Sequence, residues 1–334
     1  MKGCIFSALL VLVSFYSYAN ESYYAGHKRI FVNDDRFKLF PVAVWFPTTK
    51  TPKLENFGPF TLKVALGAKI AQGKFPLAII SHGSGGTLLG HRDTAQYLAK
   101  HGYIVAALQH PRNNHHDNVD EATTENWLNR PQHVSATLDE IFRDKELSTH
   151  INTDKIAVIG HSAGGYTALT LLGGIPDTKQ IRLHCRHKRE LDQGYCSLSR
   201  GKVAQHKDLK IEGLADKRFK SAVLLAPVGI LFSDKGSLKK VRSPILMYRA
   251  ESDSQLSYPF HAELIAKNLP EKNKLIYRVL KNANHFAFIA PFPKSIAEEV
   301  GLPAIDKLGF DRKQAHSKIN ADILNFLNKT LGSN

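Results

Sequence analysis

The sequence lacks the signature motifs of several large protein classes. It has no G-x-x-x-x-G-K loop and no glycine set of a dinucleotide-binding fold, which argues against nucleotide binding. It also has no basic–aromatic motif of a nucleic-acid-binding module, no internal repeat and no low-complexity tract. Beyond the N-terminal region, no hydrophobic run is long enough to cross a membrane. We therefore expect one large globular domain over residues 20–334, with no nucleic-acid partner.

Cysteine is scarce, with 3 residues in a chain of 334. Cys4 lies in the N-terminal apolar segment, whereas Cys185 and Cys196 lie close together in a polar segment. In an oxidising compartment these two are expected to form one disulfide that closes a short surface loop. The alternative, half of a zinc site, would need further ligands, and the nearby His184 and His187 do not have a standard zinc spacing. We therefore predict the disulfide and no metal.

The N-terminus has the three parts of a secretory signal peptide. A basic start at Met1 and Lys2 is followed by the apolar segment Cys4–Phe15 and by small residues at Ser17 and Ala19. This pattern predicts cleavage after residue 19 and a periplasmic or secreted protein. A membrane anchor is the alternative, but the apolar stretch is short and is interrupted by polar and aromatic residues.

The chain is strongly basic, with a formal net charge of +15 at pH 7. Residues 179–220 contain twelve Lys or Arg against five Asp or Glu, so much of the excess lies in one segment. A solvated charged face is the default interpretation of such a segment. Association with anionic lipid surfaces and steering of acidic substrates are the two functional alternatives.

Short apolar segments typical of buried strands alternate with helical segments along the chain. This alternation predicts an α/β fold with a mostly parallel sheet that is covered by helices on both faces. Residues 47–74 are expected to be loop with one short strand, and 173–218 a lid-like basic insertion over the sheet. Strands are predicted at 28–32, 39–46, 75–80, 103–108, 155–159, 219–226, 245–250 and 274–280. Helices are predicted at 87–101, at 123–147 with an interruption near Pro131, at 258–269 and at 312–331.

Residues 156–166, IAVIGHSAGGY, are the most informative segment of the chain. An apolar strand-like run stops at a G-x-S-x-G motif and resumes as a helix-compatible segment, the setting in which this motif forms a nucleophile elbow. The flanking positions must be glycine because any Cβ would collide with the neighbouring strand or helix. Ser162 is therefore the predicted nucleophile.

A serine nucleophile needs a base and an acid that orients it. In a sheet of this kind these groups follow the serine in the order acid, then histidine, on loops at the carboxyl ends of strands. His285 lies on a loop shortly after the last predicted strand and is the predicted base. Asp253, directly after another strand, is the predicted acid. Glu251 is its rival, and Asp234 is a weaker candidate on an earlier loop.

Two backbone N–H groups are expected to form an oxyanion hole. One belongs to Ala163, the residue after the nucleophile, and the other to the glycine-rich loop 81–86, where Ser84 is the preferred donor. His82 is interpreted as a residue that fixes this loop rather than as a second base. The cluster at 115–117, His-His-Asp, is expected to be solvated rather than to bind a metal.

Four segments together resemble the α/β-hydrolase superfamily, and within it the dienelactone hydrolase-like and platelet-activating-factor acetylhydrolase-like serine esterases. The segments are 75–86 (FPLAIISHGSGG), 160–165 (GHSAGG), 245–253 and 284–288 (NHFAF). The resemblance implies a triad of Ser162, Asp253 and His285, with an oxyanion hole from Ser84 and Ala163. Dienelactone hydrolases use a cysteine nucleophile, so the serine found here points instead to ester hydrolysis. A cysteine-bearing basic insertion also recurs in exported members of this group, which favours the Cys185–Cys196 disulfide.

The working hypothesis is an exported serine carboxylic-ester hydrolase that forms an acyl-enzyme and needs no cofactor. Its substrate would be a small-molecule or lipid ester. One alternative is a lipase or phospholipase A-type acyl hydrolase that acts at anionic membrane surfaces. A non-catalytic binding protein that keeps the fold is the alternative from another class, and the oligomeric state is left open.

Overall fold

The structure, a computed structural model, describes residues 23–198 and 207–332. The signal peptide predicted at 1–19 lies outside the described residues. The strands are β1 (Tyr24–Val32), β2 (Phe40–Thr48), β3 (Lys53–Phe57), β4 (Phe60–Leu66), β5 (Phe75–Ser81), β6 (Ile104–Leu108), β7 (Ile151–His161), β8 (Phe219–Leu225), β9 (Ile245–Ala250) and β10 (Leu275–Leu280). The α-helices are α1 (Arg92–Lys100), α2 (Thr124–Arg143), α3 (Lys145–His150), α4 (Ala163–Leu171), α5 (Lys179–His187), α6 (Gln193–Leu198), α7 (Ala262–Asn268), α8 (Lys294–Val300) and α9 (Arg312–Leu331).

The strands form one ten-stranded sheet in the order β10-β9-β8-β7-β5-β6-β2-β1-β4-β3. The six strands from β10 to β6 in this order pair in parallel, whereas β2 is antiparallel to both β6 and β1. Every residue of β5 and of β6 is buried, as expected for parallel strands covered on both faces. The predicted α/β class with a mostly parallel sheet is confirmed.

Alternate side chains of the central strands enter two separate hydrophobic cores, one on each face of the sheet. In β5, for example, Leu77 and Ile79 belong to one core, and Ala78 and Ile80 to the other. Helices α2 to α7 cover the first face, and helices α1 and α9 cover the second. Both cores reach the carboxyl ends of the strands, where the predicted site residues lie.

Residues 47–74 contain more regular structure than the sequence analysis predicted. Instead of one short strand, β3 and β4 form an antiparallel hairpin, and β4 also pairs with β1. Phe60, Leu62 and Val64 alternate with exposed residues, which is the pattern of a half-buried strand. The surrounding Pro, Gly and Thr residues hid this pattern.

Helix α2 runs without a break through Pro131, so the predicted interruption was wrong. Proline has no N–H to donate to the carbonyl group four residues earlier, which here belongs to Trp127. The hydroxyl of Tyr166, on the neighbouring α4, donates to that carbonyl at 2.8 Å instead. A hydrogen bond from another helix therefore replaces the one that the proline removes.

The basic insertion contains α5 and α6, and its residues 199–206 lie outside the described part of the chain. Cys185 and Cys196 form the predicted disulfide, with 5.4 Å between their Cα atoms. Both cysteines, together with Ile181 and Tyr195, are buried in the core on the α2–α7 face. The insertion is therefore packed onto the domain rather than held away from it. None of the described helices has the length and apolar character needed to cross a membrane.

Candidate active site

Ser162 occupies a sharp turn between β7 and α4. Its backbone has φ 55° and ψ −116°, a conformation that L-residues rarely adopt. Two backbone hydrogen bonds fix this turn against the end of β8 and the residues that follow it. The N–H of Ser162 donates to the carbonyl of Leu225 at 2.9 Å, and the N–H of Val228 donates to the carbonyl of Ser162 at 3.0 Å. The side chain is half-buried and lines the large cavity described below.

The glycines around this serine are required by close backbone contacts. A Cβ at Gly160 would overlap the carbonyl of Gly164, and a Cβ at Gly164 would overlap the carbonyl of Ser81. Strand β7, the turn and the end of β5 therefore approach each other more closely than any residue with a side chain allows. This close approach is what the sequence motif predicted.

His285 and Asp253 lie together at the carboxyl ends of β9 and β10. His285 begins a 3-10 turn after β10, and Asp253 lies on the loop after β9. His285 Nδ1 donates to Asp253 Oδ2 at 2.8 Å, and the two side chains are only 5% and 4% exposed. The other carboxylate oxygen of Asp253 accepts from the backbone N–H groups of Gln255 and Leu256. In the neutral ring this pairing assigns the proton to Nδ1, and Nε2 can then accept a hydrogen bond.

The two rival acids lie elsewhere. Glu251 is exposed and binds Lys281 Nζ at 2.7 Å and the backbone N–H of Asn282 at 2.9 Å. Asp234 accepts from the side-chain amide of Gln180. Of the three acids considered from the sequence, the structure brings only Asp253 to His285.

Ser162, His285 and Gly83 line the same cavity. A Cβ placed on Gly83 would be 3.1 Å from Ser162 Cβ. Within the described residues, no hydrogen bond joins the hydroxyl of Ser162 to the imidazole of His285. In ligand-free active sites such a bond is often long and shortens only when substrate binds.

The loop 81–86 lies against the nucleophile turn, as an oxyanion loop requires. Neither the N–H of Ser84 nor that of Ala163 has an acceptor within the described part of the chain. Both residues line the cavity beside Ser162. Two unpaired N–H donors next to a serine hydroxyl can receive a developing negative charge.

His82 fixes the orientation of this loop. The backbone N–H of His110 donates to His82 Nε2 at 3.1 Å, so the proton of the neutral ring is on Nδ1. Nδ1 then donates to the carbonyl of Gly83 at 2.6 Å. Burial, together with the charge of Arg130, holds the pKa of His82 well below its ordinary value, so the ring stays neutral. Because the carbonyl of Gly83 and the N–H of Ser84 belong to one peptide plane, His82 sets the direction of that N–H.

Two further histidines, which the sequence analysis did not identify, hold the turn that carries His285. His161 Nε2 donates to the carbonyl of His285 at 3.1 Å, and His316 Nε2 donates to the carbonyl of Ala287 at 2.8 Å. His316 also binds Asp93 through Nδ1. His161 precedes the nucleophile inside the motif itself, but nothing in the sequence indicates which backbone group it binds.

Arg130 is another residue that the sequence analysis missed. It is fully buried and donates to the carbonyl of His82, to Asn113 Oδ1 at 2.5 Å, to Thr167 Oγ1 at 3.2 Å and to Ser81 Oγ at 3.3 Å. No carboxylate pairs with it among the described residues, and burial lowers its pKa to about 9. This guanidinium connects the loop 81–86 to α4 and to the loop after β6.

Of the two histidines considered as zinc ligands, His187 is exposed and His184 binds an acid. His184 and His261 both donate through Nε2 to the buried carboxylate of Asp192, at 2.8 and 2.9 Å. The rings of His115 and His116 stack on each other at the rim of the cavity. In the described ranges, no group of three or more His, Cys, Asp or Glu side chains is arranged to hold a metal ion.

The candidate site opens into a cavity of about 1450 Å³. Ser162, His285, Ser84 and Ala163 all line it, and most of the remaining lining is apolar. Such a cavity suits an organic substrate with considerable apolar surface.

The sequence and the structure of this chain are similar to those of known ester hydrolases. Residues 126–334 match the family described as platelet-activating factor acetylhydrolase, isoform II, and residues 49–184 match the family described as chlorophyllase. The chain is 29% identical to a platelet-activating factor acetylhydrolase of Bos taurus, in an alignment that covers 35% of this chain and 36% of the bovine protein. The structure is similar to a ferulic acid esterase from Streptomyces cinnamoneus, with a TM-score of 0.63, 18% identity, and coverage of 94% of this chain and 92% of the esterase. This last similarity identifies the fold, which is the predicted α/β-hydrolase fold.

Proposed function

The chain belongs to the platelet-activating factor acetylhydrolase, isoform II family, and we propose that it hydrolyses carboxylic esters through Ser162. The observation that carries this proposal is the buried His285–Asp253 pair, 2.8 Å apart, at the edge of the cavity that Ser162 also lines. A serine at a strained strand–helix turn, a histidine with a free Nε2 and a carboxylate behind it are the three groups that acyl transfer needs.

In the proposed reaction His285 Nε2 removes the proton of the Ser162 hydroxyl as the oxygen attacks the ester carbonyl. The N–H groups of Ser84 and Ala163 stabilise the negative charge on the carbonyl oxygen. His285 then gives its proton to the departing alcohol, which leaves an acyl group on Ser162. Water, deprotonated by His285, attacks this acyl group and releases the carboxylic acid. One ester and one water thus become one acid and one alcohol, and no cofactor takes part.

Substitutions of Asp253 and Glu251 test which of the two carboxylates assists His285. Ser162→Ala should lower kcat for p-nitrophenyl butyrate by at least about 10⁴-fold, and Asp253→Asn by about 10²- to 10⁴-fold. Glu251→Gln is the matched control on the same loop and should stay within about twofold of the wild type. An inactive Glu251→Gln variant beside a nearly normal Asp253→Asn variant would assign the acid to Glu251.

We also propose that residues 20–334 form a single exported domain after removal of the signal peptide 1–19. The disulfide supports this proposal because such bonds persist mainly outside the cytoplasm. N-terminal sequencing of the protein recovered from the periplasm or medium of its host should begin at residue 20. Recovery of the uncleaved chain in the cytoplasmic fraction would contradict it.

A lipase or phospholipase A-type activity at anionic surfaces is the second candidate. The end of α5 exposes Arg186, His187 and Lys188, and the same disulfide loop exposes Leu191. Leu198, 36% exposed, connects this surface to the cavity. Basic side chains beside exposed leucines are typical of surfaces that bind anionic lipid.

Vesicle binding distinguishes this second candidate from a soluble esterase. Vesicles that contain phosphatidylglycerol should bind the protein at low salt and release it at high salt, and Arg186→Gln with Lys188→Gln should weaken binding. Lys313→Gln, an exposed lysine on α9, is the control. Equal binding to neutral phosphatidylcholine vesicles, or full activity on soluble esters with no vesicle binding, would favour the soluble esterase.

A further inference from the structure

The cavity above Ser162 extends over both faces of the sheet. Most of its apolar lining residues belong to one or the other of the two hydrophobic cores, and Leu198 lies at the surface. We name the part on the α2–α7 face the insertion-side lobe, formed by Trp127, Ile181, Tyr195, Leu198, Val228 and Leu256. We name the part on the α1–α9 face the hairpin-side lobe, formed by Phe57, Phe60, Leu88, Leu89, Phe292 and Ile296.

The insertion-side lobe begins directly beside the nucleophile. Val228 donates its N–H to the carbonyl of Ser162 at 3.0 Å, and Leu256 donates its N–H to Asp253 at 2.8 Å. Deeper in this lobe, the ring of Trp127 packs edge-on against Tyr166 of α4, with 4.7 Å between the ring centroids. Val228, Leu256 and Trp127 are all buried in one core, so this wall is fixed by packing.

The hairpin-side lobe is built from segments far apart in the sequence. The rings of Phe60, on β4, and Phe292, after the His285 turn, lie 6.1 Å apart. The guanidinium of Arg92 lies 4.1 Å from the centre of the Phe60 ring and donates to the carbonyl of Pro291. These contacts hold the hairpin and the C-terminal segment together as one wall.

The position of His285 assigns the two halves of the ester to the two lobes. The imidazole of His285 lies 5.0 Å, between ring centroids, from that of His161, which packs against Phe288 of the core on the hairpin side. The departing alcohol must take its proton from His285. The alcohol half therefore enters the hairpin-side lobe, and the acyl half enters the insertion-side lobe.

We infer that the substrates of this enzyme are esters in which both the acid and the alcohol carry a bulky apolar group. This inference rests on the proposed ester hydrolysis and adds to it the class of substrate. A cavity of about 1450 Å³ exceeds the range of about 300–1000 Å³ that holds most small ligands. Apolar groups in both lobes would contribute binding energy from surface removed from water.

A set of four esters tests the two lobes independently. Methyl butyrate has two small halves, methyl 4-phenylbutyrate a large acid, benzyl butyrate a large alcohol, and benzyl 4-phenylbutyrate both. After correction for the hydroxide-catalysed rate of each ester, each large half should raise kcat/KM by about tenfold or more. The ester with two large halves should be the best substrate.

Tryptophan substitutions fill one lobe at a time. Leu198→Trp should lower kcat/KM for methyl 4-phenylbutyrate about tenfold and have little effect on benzyl butyrate. Ile296→Trp, in the half-buried face of α8, should have the opposite pattern. Leu191→Trp, 61% exposed on the same disulfide loop, and Leu308→Trp, 100% exposed, are controls outside the cavity.

The inference is overturned if large acid or alcohol halves do not raise kcat/KM. It is also overturned if Leu198→Trp and Ile296→Trp impair the same ester, or if the control variants behave like these two. The proposed function is judged separately with methyl butyrate. If Ser162→Ala abolishes its hydrolysis, ester hydrolysis through Ser162 stands whatever the lobes do. If Ser162→Ala retains that activity, the proposed function itself fails.

Discussion

At the scale of single residues, Ser162 combines an unfavourable backbone with a half-buried side chain that lines the cavity. A non-glycine residue at φ 55° costs on the order of 1–3 kcal/mol, and the hydrogen bonds to Leu225 and from Val228 hold it there. Gly160 and Gly164 beside it cannot be replaced without moving the backbone, because neighbouring backbone atoms occupy the space that a Cβ would need. These are short-range constraints, and for that reason the motif could be recognised from the sequence.

His82 acts as a positioning residue for the oxyanion loop if its Nδ1–H orients the Ser84 peptide. Asparagine places an amide N–H where Nδ1 lies, whereas glutamine places one near Nε2. His82→Gln should therefore lower kcat about 10- to 100-fold with little change in KM, since the lost interaction exists mainly in the transition state. His82→Asn should retain kcat within about fivefold. Steady-state kinetics on a p-nitrophenyl ester provides the measurement.

A merely structural role of His82 would give a different result. Both variants would then lose stability and activity together, and circular dichroism would detect the loss of folded protein. Equal kcat values for His82→Asn and His82→Gln, or a change confined to KM, would contradict the positioning role.

The sequence indicates some residues of the proposed site and not others for a physical reason. Ser162 and His285 follow from a local motif and from the order of strands, and Asp253 from its place directly after β9. Arg130 and His161 act through backbone carbonyls of segments distant in the sequence. Their partners are set by packing between α2, β5 and the His285 turn, which no local pattern encodes.

At the scale of elements, the disulfide loop is bound to the loop that carries the acid. Asp192, between the two cysteines, accepts from the backbone N–H of Ser257 at 3.0 Å and from the rings of His184 and His261. Although burial opposes its charge, the hydrogen bonds from the two histidines keep the pKa of Asp192 below its ordinary value. Ser257 lies four residues after Asp253, so the insertion supports the position of the acid.

Removal of this carboxylate should destabilise the protein. Asp192→Ala leaves three donors without an acceptor, those of buried His261 and of partly buried His184 and Ser257, and should lower the free energy of unfolding by about 3 kcal/mol. Glu190→Ala, an exposed acid on the same loop, is the matched control and should change it by less than about 0.5 kcal/mol. Urea denaturation measures both values. A similar small change in the two variants would show that the Asp192 cluster does not stabilise the insertion.

Element boundaries were predicted well where a single pattern decided them and poorly where tertiary contacts did. Strands β5, β6, β8 and β9 are mostly apolar runs, helix α9 is amphipathic, and all five appear within one or two residues of their predicted positions. Strand β7 is longer than the predicted 155–159. Pro131 did not end α2 because a hydroxyl from α4 replaced the missing donor. The β3–β4 hairpin was missed because no residue of β3 is buried and only part of β4 is, so the apolar signal is weak.

At the scale of the whole molecule, several histidines of the described residues are buried and neutral. Burial is the largest cause that lowers the pKa of six of them, to about 4 for His27 and His91 and to about 3 for His133. The other three, with values well below the ordinary one, are His82, His110 and His161. In the unfolded chain each would bind a proton below pH ~6.5. Stability should therefore fall as the pH drops below about 6.5 toward the folded-state values.

His27 allows a direct test of this acid sensitivity. Its ring packs edge-on against Trp45 and Phe57, so phenylalanine fits the site without a titratable group. His27→Phe should reduce the loss of unfolding free energy between pH 7 and pH 5 by about 2 kcal/mol, as followed by urea denaturation at each pH. His187→Phe, an exposed histidine, is the surface control. An identical pH dependence in wild type and His27→Phe would rule out this contribution.

The central claim is that Ser162 becomes acylated while His285 and Asp253 assist it. Its most direct test is reaction of the purified protein with a fluorophosphonate probe, followed by mass spectrometry of the digested peptides. We expect one adduct, on Ser162, formed at least about 10²-fold more slowly in the Asp253→Asn variant. An adduct on another residue, or an active esterase that the probe leaves unmodified at Ser162, would contradict the account.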